Sequence, residues 1–243
     1  MKCSVCGGII TGPYYKDDYG NFACACHLND NMFICSYCGR IISAKTSMSH
    51  KTGLYGYHVK KNLYMCGICG ENPVLTTKQI KVCLDKVLKI IRPYGIKIET
   101  ETISIDTISY KKFYKLGHSA TNGLCYNFLD AKGNYSYSKI VVINGVPTIY
   151  FEEVLAHELF HALLYQKNIV LGNHTEGFCN IGSAIILDYY NINNNSKQAR
   201  FLLNNLEKNP DLLYGKGYRE LKTLLIKYGW KDFLAYIKTF KNI

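Results

Sequence analysis

The chain has 243 residues and no stretch approaching eighteen uninterrupted apolar ones, so no transmembrane span is predicted. Its opening, Met-Lys-Cys-Ser-Val-Cys, lacks an apolar run of signal-peptide length. No low-complexity linker interrupts it. Acidic residues are scarce, 18 against 29 Lys and Arg, for a formal net charge of +11. That excess is not gathered anywhere: 25 of the 29 basic residues are Lys, and they are scattered. Nucleic-acid-binding surfaces concentrate charge on one face, so nucleic acid is not an expected partner. Together these absences predict a soluble cytoplasmic protein with no membrane partner. With 48% hydrophobic and 19% charged residues, the composition is that of a packed protein rather than a disordered one.

What the chain has in abundance is cysteine, eleven in all. Without an export signal, disulfides are the poorer explanation and metal binding the better one. Four pairs have metal-ligand spacing: Cys3/Cys6, Cys24/His27, Cys35/Cys38 and Cys66/Cys69. Two ligands separated by two residues grip one ion from a single tight turn, and structural zinc takes four such ligands. Gly7, Gly39 and Gly70 follow the second Cys of three pairs, where glycine permits positive φ and turns backbone N–H groups toward sulfur. A repeat accompanies them. Residues 3–10 read CSVCGGII and residues 35–42 read CSYCGRII, identical at six of eight positions. The repeat favours two sequential sites, Cys3, Cys6, Cys24, His27 and then Cys35, Cys38, Cys66, Cys69, over a crossed pairing. His58 is an alternative ligand of the second, though a surface histidine is the favoured reading. Cys26, Cys83, Cys125 and Cys179 are left over and are expected to be small buried hydrophobes. So small a unit draws folding energy from its metals. It can also dock a partner protein.

The composition changes after Pro73. From Thr77 apolar residues recur at helical spacing as far as Pro93, so the boundary is placed between a double zinc-binding domain, 1–74, and a second domain, 75–243. Segments 96–100, 124–129 and 138–143 read as strands. Segments 154–165, 177–190, 197–207, 215–228 and 231–240 read as helices. The predicted class is α+β, mainly helical with a small sheet. The segment Tyr137–Ile143 is expected to form an edge strand able to pair with an extended peptide.

The chemistry is carried by His157-Glu158-Leu159-Phe160-His161. With 7 His and 9 Glu in the chain, roughly 0.007 chance matches to H-E-x-x-H are expected. Residues four apart share a helix face, so both imidazoles reach one ion. Glu158, about 100° round the helix, can serve as general base to a water there. The surrounding Val154, Leu155, Ala156, Ala162, Leu163 and Leu164 make this helix apolar nearly all round. It must be buried, and buried imidazoles need partners. A catalytic zinc needs a third protein ligand and an open position. Glu176, at the start of the next apolar helix, is the candidate, with His174 the rival. Asn180, one turn on, can orient a ligand imidazole. Tyr189, Tyr190, Tyr214, Tyr218, His118 and His174 are candidates to stabilise an oxyanion.

These motifs resemble the LIM-domain peptidase family of the plant organ-size regulators, which are activated by ubiquitin. The resemblance runs through Cys24-x-x-His27 and Cys35-x-x-Cys38, through Thr121-Asn-Gly-Leu-Cys125, and through Asn144-Gly-Val-Pro147 with Leu155-Ala-His-Glu-Leu-Phe-His-Ala162. It continues in Thr175-Glu-Gly-Phe-Cys179, Tyr218-Arg and Lys227-Tyr-Gly229. It implies a LIM-like tandem zinc-ribbon domain followed by a zincin of gluzincin type. It further implies a zinc endopeptidase with three zinc ions per chain, one catalytic and two structural. The implied partners are a protein or peptide substrate and a regulatory protein docking on the LIM-like domain. No acidic ubiquitin-interacting helices precede the zinc pairs here, and the compactness fits a bacterial-type relative. Two other functions fit the sequence: a latent peptidase-fold adaptor, and a nucleic-acid-binding zinc ribbon.

Overall fold

The computed structural model describes residues 1–27, 34–43, 57–60, 63–118 and 121–239. About half is helical, and the strands form small sheets. Two antiparallel hairpins come first: β1 (Tyr14–Lys16) with β2 (Phe22–Cys24), and β3 (Tyr57–Lys60) with β4 (Leu63–Met65).

The sequence repeat is a structural repeat. In the first unit Cys3 N–H donates to the Gly8 carbonyl and Ser4 N–H to that of Phe22; in the second Cys35 donates to Arg40 and Ser36 to Tyr64. The Cys24 N–H points at Cys3 Sγ, and the Cys66 N–H at Cys35 Sγ. Gly7 and Gly39 take the positive φ expected of them, at 76° and 73°. Gly70 does not. Its turn nevertheless closes through a Gly70 N–H to Cys66 carbonyl bond, as the other two close from Gly7 to Cys3 and from Gly39 to Cys35.

Helix α1 (Thr77–Ile91) starts on a capping box between Thr76 and Gln79 and buries Ile80, Cys83, Val87, Ile90 and Ile91. The predicted strand at 96–100 is not one. The strand is β5 (Ile103–Ile108), whose sequence Ile-Ser-Ile-Asp-Thr-Ile alternates with the period of a strand. A short helix, α2 (Tyr110–Lys115), leads to β6 (Gly123–Leu129) and β7 (Tyr135–Ile143). The sheet order is β5-β7-β6. The Tyr137–Ile143 segment is therefore the central strand, flanked on both sides, and not the edge strand expected. Its inward residues Ser138, Ile140 and Val142 are fully buried, which a two-sided position requires. The edges are β5 and β6.

Helix α3 (Thr148–Gln166) begins six residues earlier than its sequence indicates. Ile149, Tyr150 and Phe151 read locally as β-formers, but Phe151 is fully buried in the core, and packing overrides propensity. Helix α4 (Thr175–Asn194) packs against α3, and α5 (Lys197–Glu207) follows. A π-helical turn, Leu212–Lys216, then introduces α6 (Gly217–Lys238). Gly229 (φ 72°, ψ 168°) breaks α6 where two separate helices are predicted. Position 240, the expected end, lies outside the described residues. Among the described residues no helix is long and apolar enough to cross a membrane.

One buried cluster runs from Cys35 and Tyr37 through Phe151 and Phe160 to Ile237. The Tyr37 ring meets Tyr150 of α3 edge-on at 4.8 Å. The Val74 N–H donates to the Val146 carbonyl and the Gly145 N–H to that of Val74. Gly39 faces α5 so closely that a Cβ would stand 2.5 Å from the Phe201 ring. Gly39→Ala therefore combines positive φ with a clash and should cost about 2–3 kcal/mol. Gly20→Ala, at φ 81° with nothing within 4 Å, should cost about 1 kcal/mol. Urea unfolding of the two variants checks the difference; equal losses would contradict this packing.

Candidate metal centre

Three groups of side chains converge as metal ligands do. Cys3, Cys6, Cys24 and His27 form the first, Cys35, Cys38, Cys66 and Cys69 the second, and His157, His161 and Cys179 the third. The sequential pairing of the cysteines is the one formed. The side chain of His58 lies outside the described part of the structure.

The spacings are those of tetrahedral coordination. Sulfurs 2.3 Å from one zinc stand about 3.8 Å apart. Cys6 and Cys24 are separated by 3.8 Å, and Cys38 and Cys66 by 3.9 Å. Both ring nitrogens of His27 are buried without a hydrogen-bond partner among the described residues, as a nitrogen awaiting an ion would be. The second group is wholly buried. Hydrogen bonding to Cys35, Cys38 and Cys66 holds the Cys69 thiol far above its ordinary value. Four sulfurs so close do not ionise together without a cation.

The leftover cysteines divide. Cys83 and Cys179 are buried, as expected, and Cys125 is half-buried. Cys26 is exposed, 2.9 Å from Cys24 Sγ, because the short 3₁₀ turn Ala25–His27 projects it to solvent.

The third group lies where α3 crosses α4. His157 Nε2 and His161 Nε2 are 3.3 Å apart. Glu176 Oε2 completes a triangle at 3.2 and 3.4 Å from them. Three ligands held 2.0–2.2 Å from one ion at tetrahedral angles stand about 3.3 Å apart. The imidazoles together hold the Glu176 carboxyl well below its usual range, against the opposing effect of its burial. Cys179 Sγ also lies within 4.8 Å of the histidine nitrogens. Glu176 lines the cavity, whereas Cys179 is fully buried. His174 stands apart, 3.3 Å from Glu220.

Asn180 orients the group. Its Oδ1 lies 2.9 Å from His157 Nδ1, and its Nδ2 donates to the Tyr214 carbonyl at 2.9 Å. With Nδ1 protonated, His157 Nε2 carries the lone pair a cation needs. Glu158 lies beside the triangle without joining it. Burial pushes its carboxyl upward, and both imidazoles offset part of that rise.

A cavity of about 790 Å³ opens over these residues. The start of β6 forms one wall, the π-helical turn the other, and Ser36 of the second cysteine unit reaches the rim. Gly123 makes the approach of β6 possible: a Cβ there would meet Glu158 Oε1 at 2.6 Å and Val154 Cγ1 at 2.8 Å. Of the six oxyanion candidates, only Tyr214 lines the cavity. Asp211 caps the turn that carries it, accepting from the Leu213 and Tyr214 N–H groups at 2.8 and 2.9 Å. Burial and the Glu176 carboxylate, to which it also hydrogen-bonds, push the Tyr214 phenol up, so it stays a donor. Tyr190 is committed to Glu152 and Tyr218 to Glu207. His118 is near Tyr126, and Tyr189 is at the surface.

Glu153 was not visible as a site residue in the sequence, and Gly123 was seen only within the motif Thr121-Asn-Gly-Leu-Cys125. Glu153, one turn before His157, lines the cavity, and burial pushes its carboxyl up to about 7, with Ser183 and His157 opposing. The spacing Glu153-x-x-x-His157 was its only signal.

No protein-family model, no curated protein and no solved structure matches the chain. The site rests on its own geometry.

Metal analysis of the purified protein should find three ions per chain. His157→Ala and Glu176→Ala should each lower that to two, and Cys35→Ser should lower it with loss of folded protein. Three retained ions in Glu176→Ala would transfer the third-ligand role to Cys179. Gly123→Ala should displace the Glu158 carboxylate and lower thermal stability, read by calorimetry.

Proposed function

We propose that the chain is a zinc-dependent endopeptidase, with His157, His161 and Glu176 as ligands, Glu158 as general base and Tyr214 as oxyanion donor. Two thiolate-held zinc ions in residues 1–74 complete the expected three. The observation that carries the reading is the 3.2–3.4 Å triangle with Glu158 beside it at the floor of an open cavity. The fit of three ligands with one position left open is that of catalytic rather than structural zinc. The reading agrees with the resemblance to LIM-domain peptidases of gluzincin type.

Zinc bound there would supply a Lewis acid and acidify water at neutral pH. The protein's own residues do the remainder. Glu158, nearly dry, accepts the proton of the attacking water and passes it to the leaving amine. Tyr214, from the opposite wall, donates to the oxygen on which negative charge develops. Asn180 holds His157 and the Tyr214 backbone in one hydrogen-bonded chain, so ligand and donor keep their relative placement. The free edge of β6, from Gly123 to Cys125 along the cavity, can pair with an extended peptide and lay its bond between Glu158 and Tyr214. The rim contributed by Ser36 gives the cysteine-rich unit a place in substrate docking.

The test is cleavage of a proteome-derived peptide library. Glu158→Gln should lose at least about a hundredfold in rate while keeping its metal. Tyr214→Phe should lose about 100–1,000-fold in kcat with little change in KM. Cleavage that persists in Glu158→Gln would overturn the assignment. A metal-replete wild type that cleaves nothing would favour the adaptor reading.

A further inference from the structure

We propose that Glu153 is the specificity carboxylate of the cavity, receiving a cationic nitrogen of the substrate beside the bond to be cleaved. That nitrogen belongs to a Lys or Arg side chain or to a free N-terminus. The inference deepens the peptidase reading and rests on it.

It begins with a contrast of charge. The protein carries a formal +11, yet the cavity lining holds four carboxylates and no Lys or Arg. Three of the four are occupied. Glu176 closes the ligand triangle, Glu158 stands beside it, and Asp211 caps the π-helical turn. Glu153 remains. Among the described residues no lysine or arginine forms an ion pair with it. The nearby Ser183 hydroxyl donates to the Glu153 backbone carbonyl at 3.2 Å and, with the His157 ring, also acts on the Glu153 carboxyl, but neither is a lysine or arginine.

Position gives this carboxylate its role. Glu153 precedes His157 by four residues, which places it on the same helix face and about 6 Å further along the axis. It is thus displaced from the ligand triangle along the cavity, at the reach of a neighbouring substrate residue rather than of the scissile carbonyl. A partly buried carboxylate without a cation is costly to keep, and a cation delivered by the substrate relieves that cost. A neutral or acidic group there leaves the carboxylate unpaired or opposed. Because the surface at large is basic, a cationic substrate gains nothing from long-range steering. The preference must come from this one contact.

Binding, not turnover, tests it. The metal-loaded Glu158→Gln protein serves as a receptor that does not consume its ligand, and calorimetry measures its affinity for paired peptides. One pair, both acetylated, differs only in Lys against norleucine. The other, free of basic side chains, differs only in a free against an acetylated N-terminus. One pair should differ by about a hundredfold in Kd, and which pair identifies the source of the nitrogen. Adding Glu153→Gln should bring that ratio near one, whereas Glu153→Asp should keep part of it. Because each result is a ratio within one protein, loss of folded material does not imitate it. Ratios near one in both pairs before Glu153 is changed, or a ratio that survives Glu153→Gln, overturn the proposal. Cationic selectivity in a wild type that cleaves nothing would leave this contact standing and sink the peptidase reading instead.

Discussion

Burying α3 on nearly every side while it carries two imidazoles and three carboxylates is the constraint on which the structure depends. Glu152, Glu153, His157, Glu158 and His161 lie within ten residues of a helix whose remaining faces are core. Polar groups so placed are costly unless they are answered. Glu152 is answered by the Tyr190 hydroxyl at 2.6 Å, itself held by Lys86. His157 is answered by Asn180 on one nitrogen and Glu176 on the other. The pair of Nε2 atoms and the Glu176 oxygen are left sharing one point in space, which a divalent cation satisfies. The surrounding elements follow from this demand: α4 delivers Glu176 and Asn180, and β6 comes close only because residue 123 has no Cβ.

The cysteine-rich residues are not an appendage to that arrangement. Tyr37, between two ligands of the second group, packs edge-on against Tyr150 of α3, and Ser36 reaches the cavity rim. Gly39 brings the same turn against Phe201. A metal bound by Cys35, Cys38, Cys66 and Cys69 would thereby steady the side of the cavity that Ser36 lines. The first group is more open, with Cys6 at the surface and an additional thiol, Cys26, beside Cys24. The two units share a hydrogen-bonding scheme, yet only the second is buried against the helices.

Local patterns were legible where the physics is local. Ligand spacing follows from the bite of a tight turn, and the repeat of CSVCGGII in CSYCGRII carried its hydrogen bonds with it. The helix from Thr77 was readable because its apolar stripe matches its burial. The strand β5 was missed for Ile96–Thr100, since both segments alternate and only the pairing partner β7 distinguishes them. The start of α3 was missed because Ile149, Tyr150 and Phe151 favour strands until the core claims Phe151. The edge-strand assignment of Tyr137–Ile143 failed for a related reason. Strand order is a matter of which chains lie alongside, and β5 pairs in parallel from more than thirty residues away.

By itself the sequence determined the ligand types, their spacing and the helix that carries two of them, because those depend on chain geometry over a few residues. It offered Glu176 as the candidate third ligand, with His174 the rival, because Glu176 stands at the opening of the next apolar helix. Tertiary structure alone decided which of six oxyanion candidates faces the cavity, which strands are the edges, why residue 123 is glycine and that, among the described residues, no Lys or Arg pairs with Glu153. Each of these is a distance between segments remote in the chain, set by packing that no local pattern encodes.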